Sequence, residues 1–232
     1  LYHSPVMIDS AGQKVHVGYV TDLITDMSLQ WLKDRDKSKP FCMMVHHKAP
    51  HREWQPDAKH ATMYENEEIL EPETFNDTYE NRSAAAGAAR MRMEDLQWKD
   101  LKADVPSGLS AAEEKSWRYQ RYIKDYLRVI ASVDDGVGKL LDHLEEEGIV
   151  DNTMVIYTSD QGFFLGDHGW FDKRFMYEES LRMPFVLRFP SEVKAGTTCD
   201  DMILNVDFAS LFLDMAGISI PDEFQGHSFR PL

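Results

Sequence analysis

The sequence contains only two cysteines, Cys42 and Cys199, which are far apart and lie in no metal-binding spacing. Two such residues form neither a disulfide framework nor a cysteine-based zinc site. No apolar run approaches the length of a membrane span, and the start, LYHSPVMIDS, has neither the charged nor the apolar region of a signal peptide. These absences are typical of a globular chain, and the cysteines do not decide its compartment.

Positive charge is also scarce, because the chain carries 25 Lys and Arg against 40 Asp and Glu, a net charge of −15. A field of that sign repels nucleic acid and anionic membranes, so we expect neither as a partner. An anionic substrate needs a local cluster of Lys, Arg, His or metal. With 232 residues and 43% hydrophobic content, the chain is sufficient for one large α/β domain.

Two long segments have the periodicity and the end signals of helices. A capping box from Ser110 to Glu113 predicts the start of a long helix that ends at Gly148. Within residues 18–36, apolar residues at helical spacing predict a shorter helix with one buried face. That face comprises Val20, Leu23, Ile24, Met27 and Trp31.

Short apolar runs between these helices predict strands buried in a sheet. The runs are Phe41–Val45, Thr153–Thr158 and Phe185–Phe189, and a last helix is predicted from Asn205 to Gly217. Strands that alternate with helices indicate an α/β fold with a mostly parallel sheet flanked by helices. Ligands bind beyond the carboxyl ends of such strands. Since polar motifs follow the first two runs, we expect both motifs at one sheet edge.

Residues 55–109 have weak periodicity, three prolines and an acidic run. We interpret this segment as an irregular excursion with short helices near the rim of the active site. A mobile insertion without function is an equally good interpretation.

The first polar motif follows the second predicted strand. Asp160 and Gln161 offer hard oxygen ligands suited to calcium or magnesium, although Asp160 could simply cap the next turn. Gly166 to Gly169 then form a turn that carries His168, and Lys173 follows. A metal ion and a lysine that face one anion are typical of phosphoryl or sulfuryl transfer. A surface lysine is the simpler alternative, and Arg174 competes for the same role.

The second motif, HHKAPH at residues 46–51, contains three histidines. Pro50 prevents a helical ligand pair and no cysteine is near, so zinc is disfavoured. We expect His47, Lys48 and His51 to face the substrate, since a histidine there can protonate a leaving oxygen near neutral pH.

Together, HHKAPHREW and YTSDQGFFLGDHGWFDKRFMYEESLRMPFVLRFP resemble the formylglycine-dependent type I sulfatases of the alkaline-phosphatase-like superfamily. GYVTDLITDMSLQWL, SVDDGVGKLL, VDFASLFLDMAG and GHSFRPL extend the resemblance over nearly the whole chain. It is greatest for the branch that removes 6-O-sulfate from N-acetylglucosamine in glycans. The resemblance implies a secreted or periplasmic hydrolase of sulfated carbohydrate.

The resemblance also implies roles for individual residues. Asp160 and Gln161 match half of the ligand set of one calcium ion, which the family completes with two further aspartates. Lys173 matches the lysine that contacts sulfate. His51 matches the histidine that contacts sulfate or protonates the leaving sugar oxygen, and His168 lies where substrate contact is expected.

The family's nucleophile is a formylglycine made within a C/S-x-P/A-x-R motif, and this sequence contains no such motif. Asp134 and Asp135 could replace the absent metal aspartates, but they fall inside the predicted long helix, where a structural role is favoured. We therefore expect residues 1–232 to be the central and C-terminal part of an incomplete catalytic domain. The alternatives are a phosphoester or phosphonate hydrolase of the same superfamily, or a non-catalytic pseudoenzyme or binding module.

Overall fold

A computed structural model describes residues 1–232, which form two compact units. The first unit comprises Leu1–Val150 and Gly162–Arg182, and the second comprises Asp151–Gln161 and Met183–Leu232. None of the helices is long and apolar enough to cross a membrane.

The first unit contains two long helices, three short helices and two hairpins. In chain order its elements are β1 (Val6–Asp9), β2 (Gly12–Val15), α1 (Val20–Asp34), α2 (Ala84–Ala88), α3 (Trp98–Leu101), α4 (Ala111–Glu146), β4 (Phe164–Leu165), β5 (Phe171–Asp172) and α5 (Glu178–Leu181). Single 3-10 turns occur at Met93–Asp95 and Asp167–Gly169. The second unit contains β3 (Val155–Thr158), β6 (Phe185–Arg188) and α6 (Asp207–Met215), and a further 3-10 turn covers Val150–Asn152.

Helix α4 begins and ends as the sequence predicts. Ser110 accepts a hydrogen bond from the Glu113 amide, and the Glu113 carboxylate accepts one from the Ser110 amide. This reciprocal pair satisfies two of the backbone donors that a helix start leaves without partners. At the other end, Gly148 adopts the left-handed conformation, with φ of 68°, that ends a helix.

Helix α1 also forms as predicted, but its buried face matches the expected one only in part, since Val20 is buried and Ile24 packs against the core. Met27 and Trp31 are exposed, whereas Thr21, Thr25 and Leu32 are buried. The Thr21 side chain lies 3.4 Å from the Ser132 hydroxyl of α4, so small polar residues form this contact. Small side chains let two helices approach closely, and an apolar count overlooks them.

All the strand pairs in the structure are antiparallel. β1 pairs with β2, β4 with β5, and β3 with β6 in the register Val155 to Arg188. The parallel pairing expected from the sequence is not found among these strands. Residues 41–45 form no strand, so that prediction was wrong. Hydrogen-bonded neighbours define a strand, and this segment has none here.

Residues 55–109 are irregular with short helices, as predicted. Helix α4 holds this segment by its main chain, because side chains of the helix donate hydrogen bonds to backbone carbonyls of the segment. The pairs are Lys115 to Phe75, Arg118 to Leu96, Tyr119 to Leu70, Gln120 to Ile69, Arg121 to Leu101 and Arg128 to Met63, at 2.6–3.0 Å.

An aromatic cluster forms the centre of the first unit. Trp54 packs edge-on against Tyr122 of α4, with ring centroids 4.6 Å apart, and Phe171 lies 6.5 Å from the same Trp54. All three side chains are fully buried. The cluster joins the segment after the HHKAPH motif to the strand that precedes Lys173.

Candidate active site

The residues after HHKAPH form a loop whose path is fixed by buried side chains. The Tyr2 hydroxyl donates to the His51 carbonyl at 2.6 Å, and the Trp54 indole donates to the Pro50 carbonyl at 2.7 Å. The His51 amide donates to the Lys48 carbonyl at 2.9 Å. Burial raises the pKa of Tyr2, so its phenol stays neutral and remains a donor. His51 is therefore presented from a rigid backbone.

His51 has one ring nitrogen bonded and one free. Its Nδ1 lies 2.7 Å from the Arg52 carbonyl. The Lys48 ammonium also lies 3.0 Å from Nδ1, but it donates to the Arg52 carbonyl at 2.6 Å. Because a carbonyl oxygen only accepts, the shorter contact of Nδ1 with this carbonyl favours hydrogen on Nδ1, which leaves Nε2 available. This nitrogen can accept a proton or donate one to a ligand.

Several charges act on His51. Its hydrogen bond to the Arg52 carbonyl raises the pKa, but burial and the positive charges of Lys48, Lys173 and Arg174 together lower it below its usual value. His51 is therefore mostly neutral at pH 7, and an anion bound at the cluster would favour its protonation.

Lys48 lies beside His51 but is anchored to the loop. Its ammonium donates to the Arg52 carbonyl at 2.6 Å and lies 5.2 Å from the Tyr2 ring centroid. Burial lowers the pKa of Lys48, and the charge of Lys173 lowers it further. Lys48 and Lys173 thus belong to one positive cluster, as the binding of an anionic substrate would require.

Lys173 follows β5, and its ammonium has neither a carboxylate partner nor a hydrogen bond. The ammonium lies over the Phe163 ring, 5.8 Å from the ring centroid. The neighbouring cation is different, because Arg174 pairs with the buried carboxylate of Asp172. The charge of Lys173 is therefore available to an external anion, which favours it over Arg174 for the predicted role.

His168 is buried, and both of its ring nitrogens face carboxylates. Nδ1 lies 2.8 Å from Asp77, and Nε2 lies 3.5 Å from Glu179. The Tyr79 hydroxyl donates to the His168 carbonyl at 2.6 Å. Neither ring nitrogen is free for a substrate in this arrangement, so the geometry favours a role in holding the GDHG turn.

His47 is half-buried, and its Nδ1 has no hydrogen-bond partner. Burial lowers the pKa of His47, so its ring is neutral near pH 7. Its predicted contact with the substrate stays a prediction, since the structure shows no direction of approach.

The predicted metal ligands lie in the second unit. The exposed Asp160 carboxylate has one weak contact, 3.4 Å from the Ser159 hydroxyl, and the Asp160 carbonyl accepts from Asn205 at 3.1 Å. No group of three or more His, Cys, Asp or Glu is placed to hold a metal. Asp160 and Gln161 fit as two oxygen donors, whereas calcium takes six to eight.

Of the two alternative metal aspartates in α4, Asp135 has a structural role, as expected from its position in the helix. Asp135 pairs with Lys59 and lies 3.6 Å from the His60 ring. Asp57, in turn, accepts a hydrogen bond from the His60 amide at 2.7 Å. Lys59 thus neutralises one of the two charges that a divalent cation would need.

The sequence did not point to Arg52 or Asp100. The Arg52 guanidinium forms two hydrogen bonds of 2.5 Å with the Asp100 carboxylate, which is 1% exposed. The signal that could have found them is weak. Arg52 follows the histidine of the motif directly, but its partner is 48 residues away in an irregular segment.

Comparison with known proteins also indicates a sulfatase. Residues 166–232 match the family model described as N-sulphoglucosamine sulphohydrolase, C-terminal. An N-acetylglucosamine-6-O-sulfatase of Bacteroides thetaiotaomicron is 40% identical over 100% of this chain and 49% of its own length. A Drosophila melanogaster protein named as an extracellular sulfatase SULF-1 homolog is 29% identical over 97% of this chain and 19% of its own.

Among solved structures, BT4656 in complex with its substrate D-glucosamine-2-N,6-O-disulfate superposes with a TM-score of 0.96 and 41% identity. The match covers 99% of this chain and 55% of that one. A phosphonate monoester hydrolase of Silicibacter pomeroyi has a TM-score of 0.71 at 22% identity, over 99% of this chain and 46% of that one, and shows the fold alone.

These matches confirm the α/β fold of the alkaline-phosphatase-like enzymes and the resemblance noted in the sequence. The chain spans about half the length of the Bacteroides thetaiotaomicron relative, although that match covers all of this chain. Sulfatases of this kind use a formylglycine and a metal ion. The chain belongs to the sulfatase family.

Proposed function

We propose that this chain is part of a sulfuric ester hydrolase that removes 6-O-sulfate from N-acetylglucosamine in a sulfated glycan. The observation that carries the proposal is the free ammonium of Lys173, which belongs to one positive cluster with Lys48 and His51 in a chain of net charge −15. A local cluster of that sign in an acidic protein is suited to an anionic ester. The sulfated amino sugar bound by BT4656 supports the substrate class.

In the proposed mechanism, each residue of the cluster has a distinct role. Lys173 binds the sulfate oxygens and stabilises the charge that develops on them. His51, protonated when the sulfate is bound and held through its Nδ1–H, donates its Nε2 proton to the departing sugar oxygen. Such groups are typically worth about 3–4 kcal/mol each in the transition state.

Two further components complete the proposal. Asp160 and Gln161 would supply two of the oxygen ligands of one calcium ion. A formylglycine hydrate would supply the nucleophile that attacks sulfur. The extracellular relative supports secretion or periplasmic export.

The test uses the full-length protein that contains this chain. We expect release of inorganic sulfate from N-acetylglucosamine-6-sulfate, little release of phosphate from the 6-phosphate, and loss of sulfate release in His51→Ala. Faster hydrolysis of the phosphate or a phosphonate ester would instead support the related hydrolase. Absence of turnover on all three esters would support a binding module.

The metal has a separate test. Elemental analysis of the purified full-length protein should find about one calcium per chain, and Asp160→Ala should reduce that content. A calcium content unchanged in Asp160→Ala would exclude this residue as a ligand. Mass spectrometry that finds no formylglycine would contradict the proposed nucleophile.

A further inference from the structure

Arg52 connects three segments of the candidate site. Its carbonyl accepts hydrogen bonds from both the Lys48 ammonium and the His51 ring, at 2.6 and 2.7 Å. Its side chain binds Asp100 in the irregular segment, and its guanidinium carbon lies 4.9 Å from the ring centroid of Phe171 in β5. Phe171 lies two residues before Lys173 in the sequence. One residue thus touches the segments that present each candidate catalytic group.

Asp100 is itself held firmly. Its carboxylate also accepts from the Gln97 amide at 2.8 Å, and its carbonyl accepts from the Lys102 ammonium at 2.6 Å. The same Lys102 donates to the Trp54 carbonyl at 2.6 Å and pairs with the buried Asp125 of α4 at 2.9 Å. The ion pair is therefore anchored to the long helix and leaves Arg52 few alternative positions.

The neutral imidazole has two tautomers. Only the one with hydrogen on Nδ1 can donate to the Arg52 carbonyl at 2.7 Å, whereas the other would accept at Nδ1 from the Lys48 ammonium 3.0 Å away. The Arg52 carbonyl selects the tautomer with hydrogen on Nδ1, which leaves Nε2 to act on a ligand. If Arg52 turned, the carbonyl would move away and both tautomers would be populated. A bidentate pair with a planar guanidinium resists such rotation better than a single hydrogen bond.

We propose that Arg52 and Asp100 are positioning residues, which fix the tautomer and the placement of the His51 ring through the Arg52 main-chain carbonyl. The role rests on the sulfatase function proposed above. It goes beyond that function because it assigns residues that touch neither the ester nor a metal. The charged groups that act on His51 are Lys48, Lys173 and Arg174, all of them cationic, and the Arg52 group that faces it is the neutral main-chain carbonyl.

The primary experiment needs no substrate. The full-length protein is labelled with ¹⁵N-histidine, and long-range proton–nitrogen correlation spectra give the tautomer and the pKa of His51, which is assigned with His51→Ala. We expect a single Nδ1–H tautomer in the wild type. Asp100→Asn and Arg52→Met should populate both tautomers and lower the pKa, because the hydrogen bond to the carbonyl raises it.

Kinetics give the second readout. In both variants we expect kcat to fall about tenfold or more with little change in KM, since misplacement of a reacting group affects the transition state more than binding. The double variant should be no worse than either single variant, because the two residues act as one unit.

Glu147→Gln is the matched control. Glu147 forms a largely buried pair of 2.6 Å with Arg35 in the same unit. Its loss should lower the melting temperature but leave the tautomer and the pKa of His51 unchanged.

Two outcomes would overturn the proposal. One is an unchanged tautomer and pKa in Asp100→Asn and Arg52→Met despite a lower melting temperature. The other is an equal effect of Glu147→Gln on His51. If Asp100→Asn fails to fold, Arg52→Lys decides by the same spectra, since it keeps the charge but loses the second hydrogen bond. A wild type without turnover would contradict the sulfatase function and leave these spectra interpretable.

Discussion

Among the lysines and arginines of the first unit that have no hydrogen bond or carboxylate partner, Lys173 is half-buried, whereas Lys14, Lys33, Arg90 and Arg182 are exposed. Arg52 binds Asp100, Arg174 binds Asp172, and Lys48 donates to a backbone carbonyl. A free ammonium loses solvation without compensation unless it meets an anion, so its placement favours ligand binding. The sequence could rank Lys173 above Arg174 only through the family resemblance, because the pairing of Arg174 depends on the turn at Asp172.

Replacement of this lysine should therefore affect chemistry rather than folding. In the full-length protein, Lys173→Ala should lower kcat for sulfate release about 10²–10³-fold, the usual effect of removing one charge-stabilising donor. Its melting temperature should change little, since no hydrogen bond is lost. The exposed Lys33, at the end of α1, offers the control Lys33→Ala, which should retain turnover. A Lys173→Ala enzyme with wild-type rates would exclude the assigned role.

The pH dependence of the proposed reaction follows from the charges around His51. Its pKa lies below the usual 6.5, so kcat/KM should decline as the pH rises through that lower value and the acid form is lost. Lys48→Met removes one of the charges that lower the pKa. The declining limb should then move to higher pH, whereas Lys33→Met should leave it in place. If the declining limb stays at the same pH in Lys48→Met, the decline does not arise from the titration of His51.

At the scale of elements, the contact between α1 and α4 depends on one glycine. A Cβ at Gly136 would lie 2.5 Å from the Thr25 hydroxyl oxygen of α1, whereas a Cβ at Gly138, two residues further along α4, would meet nothing within 4 Å. The two glycines share a helix and a backbone conformation but differ in their neighbours. Alanine substitutions at the two positions therefore distinguish the effect of packing from the effect of helix propensity.

Thermal or urea unfolding of the two alanine variants should give opposite results. Gly138→Ala should raise the free energy of unfolding by up to about 1 kcal/mol, because alanine favours the helix. Gly136→Ala should lower it by about 1–3 kcal/mol, because the added methyl group crowds Thr25. Stabilisation of both variants would show that α1 can shift away from α4 without cost.

Local signals in the sequence predicted the elements better than their pairing. The capping box at Ser110 and the end at Gly148 act within one turn, so both were correct. The apolar run at 41–45 was wrong as a strand, since strand formation depends on a neighbour that no local pattern specifies. Val20 on the buried face of α1 was predicted, whereas Thr21 and Thr25 were missed because they are small and polar.

The candidate site was predicted to a similar extent. Lys173 and His51 could be predicted because each belongs to a short local motif. The structure places both in one positive cluster. Lys48 and His168 were assigned to substrate, but their atoms mainly contact the protein. Such contacts span up to 91 residues, and sequence spacing does not reveal them.

At the scale of the whole molecule, the chain carries two of the proposed calcium ligands and no nucleophile motif. We therefore expect the isolated 232-residue chain to release no sulfate from N-acetylglucosamine-6-sulfate, while the full-length protein does. Ion chromatography of free sulfate provides the measurement, with circular dichroism to verify that the isolated chain is folded. Turnover by the folded isolated chain would show that the nucleophile lies within these residues.

Helix α4 recognises the irregular segment through backbone carbonyls, which every amino acid provides. Substitutions among the segment's own exposed side chains would leave these hydrogen bonds intact. In contrast, the donors on the helix, such as Tyr119 and Arg121, have no equivalent freedom. Over evolutionary time the segment can therefore diversify in sequence while its path is retained, and a protein of this architecture could acquire new surface chemistry there without rebuilding its core.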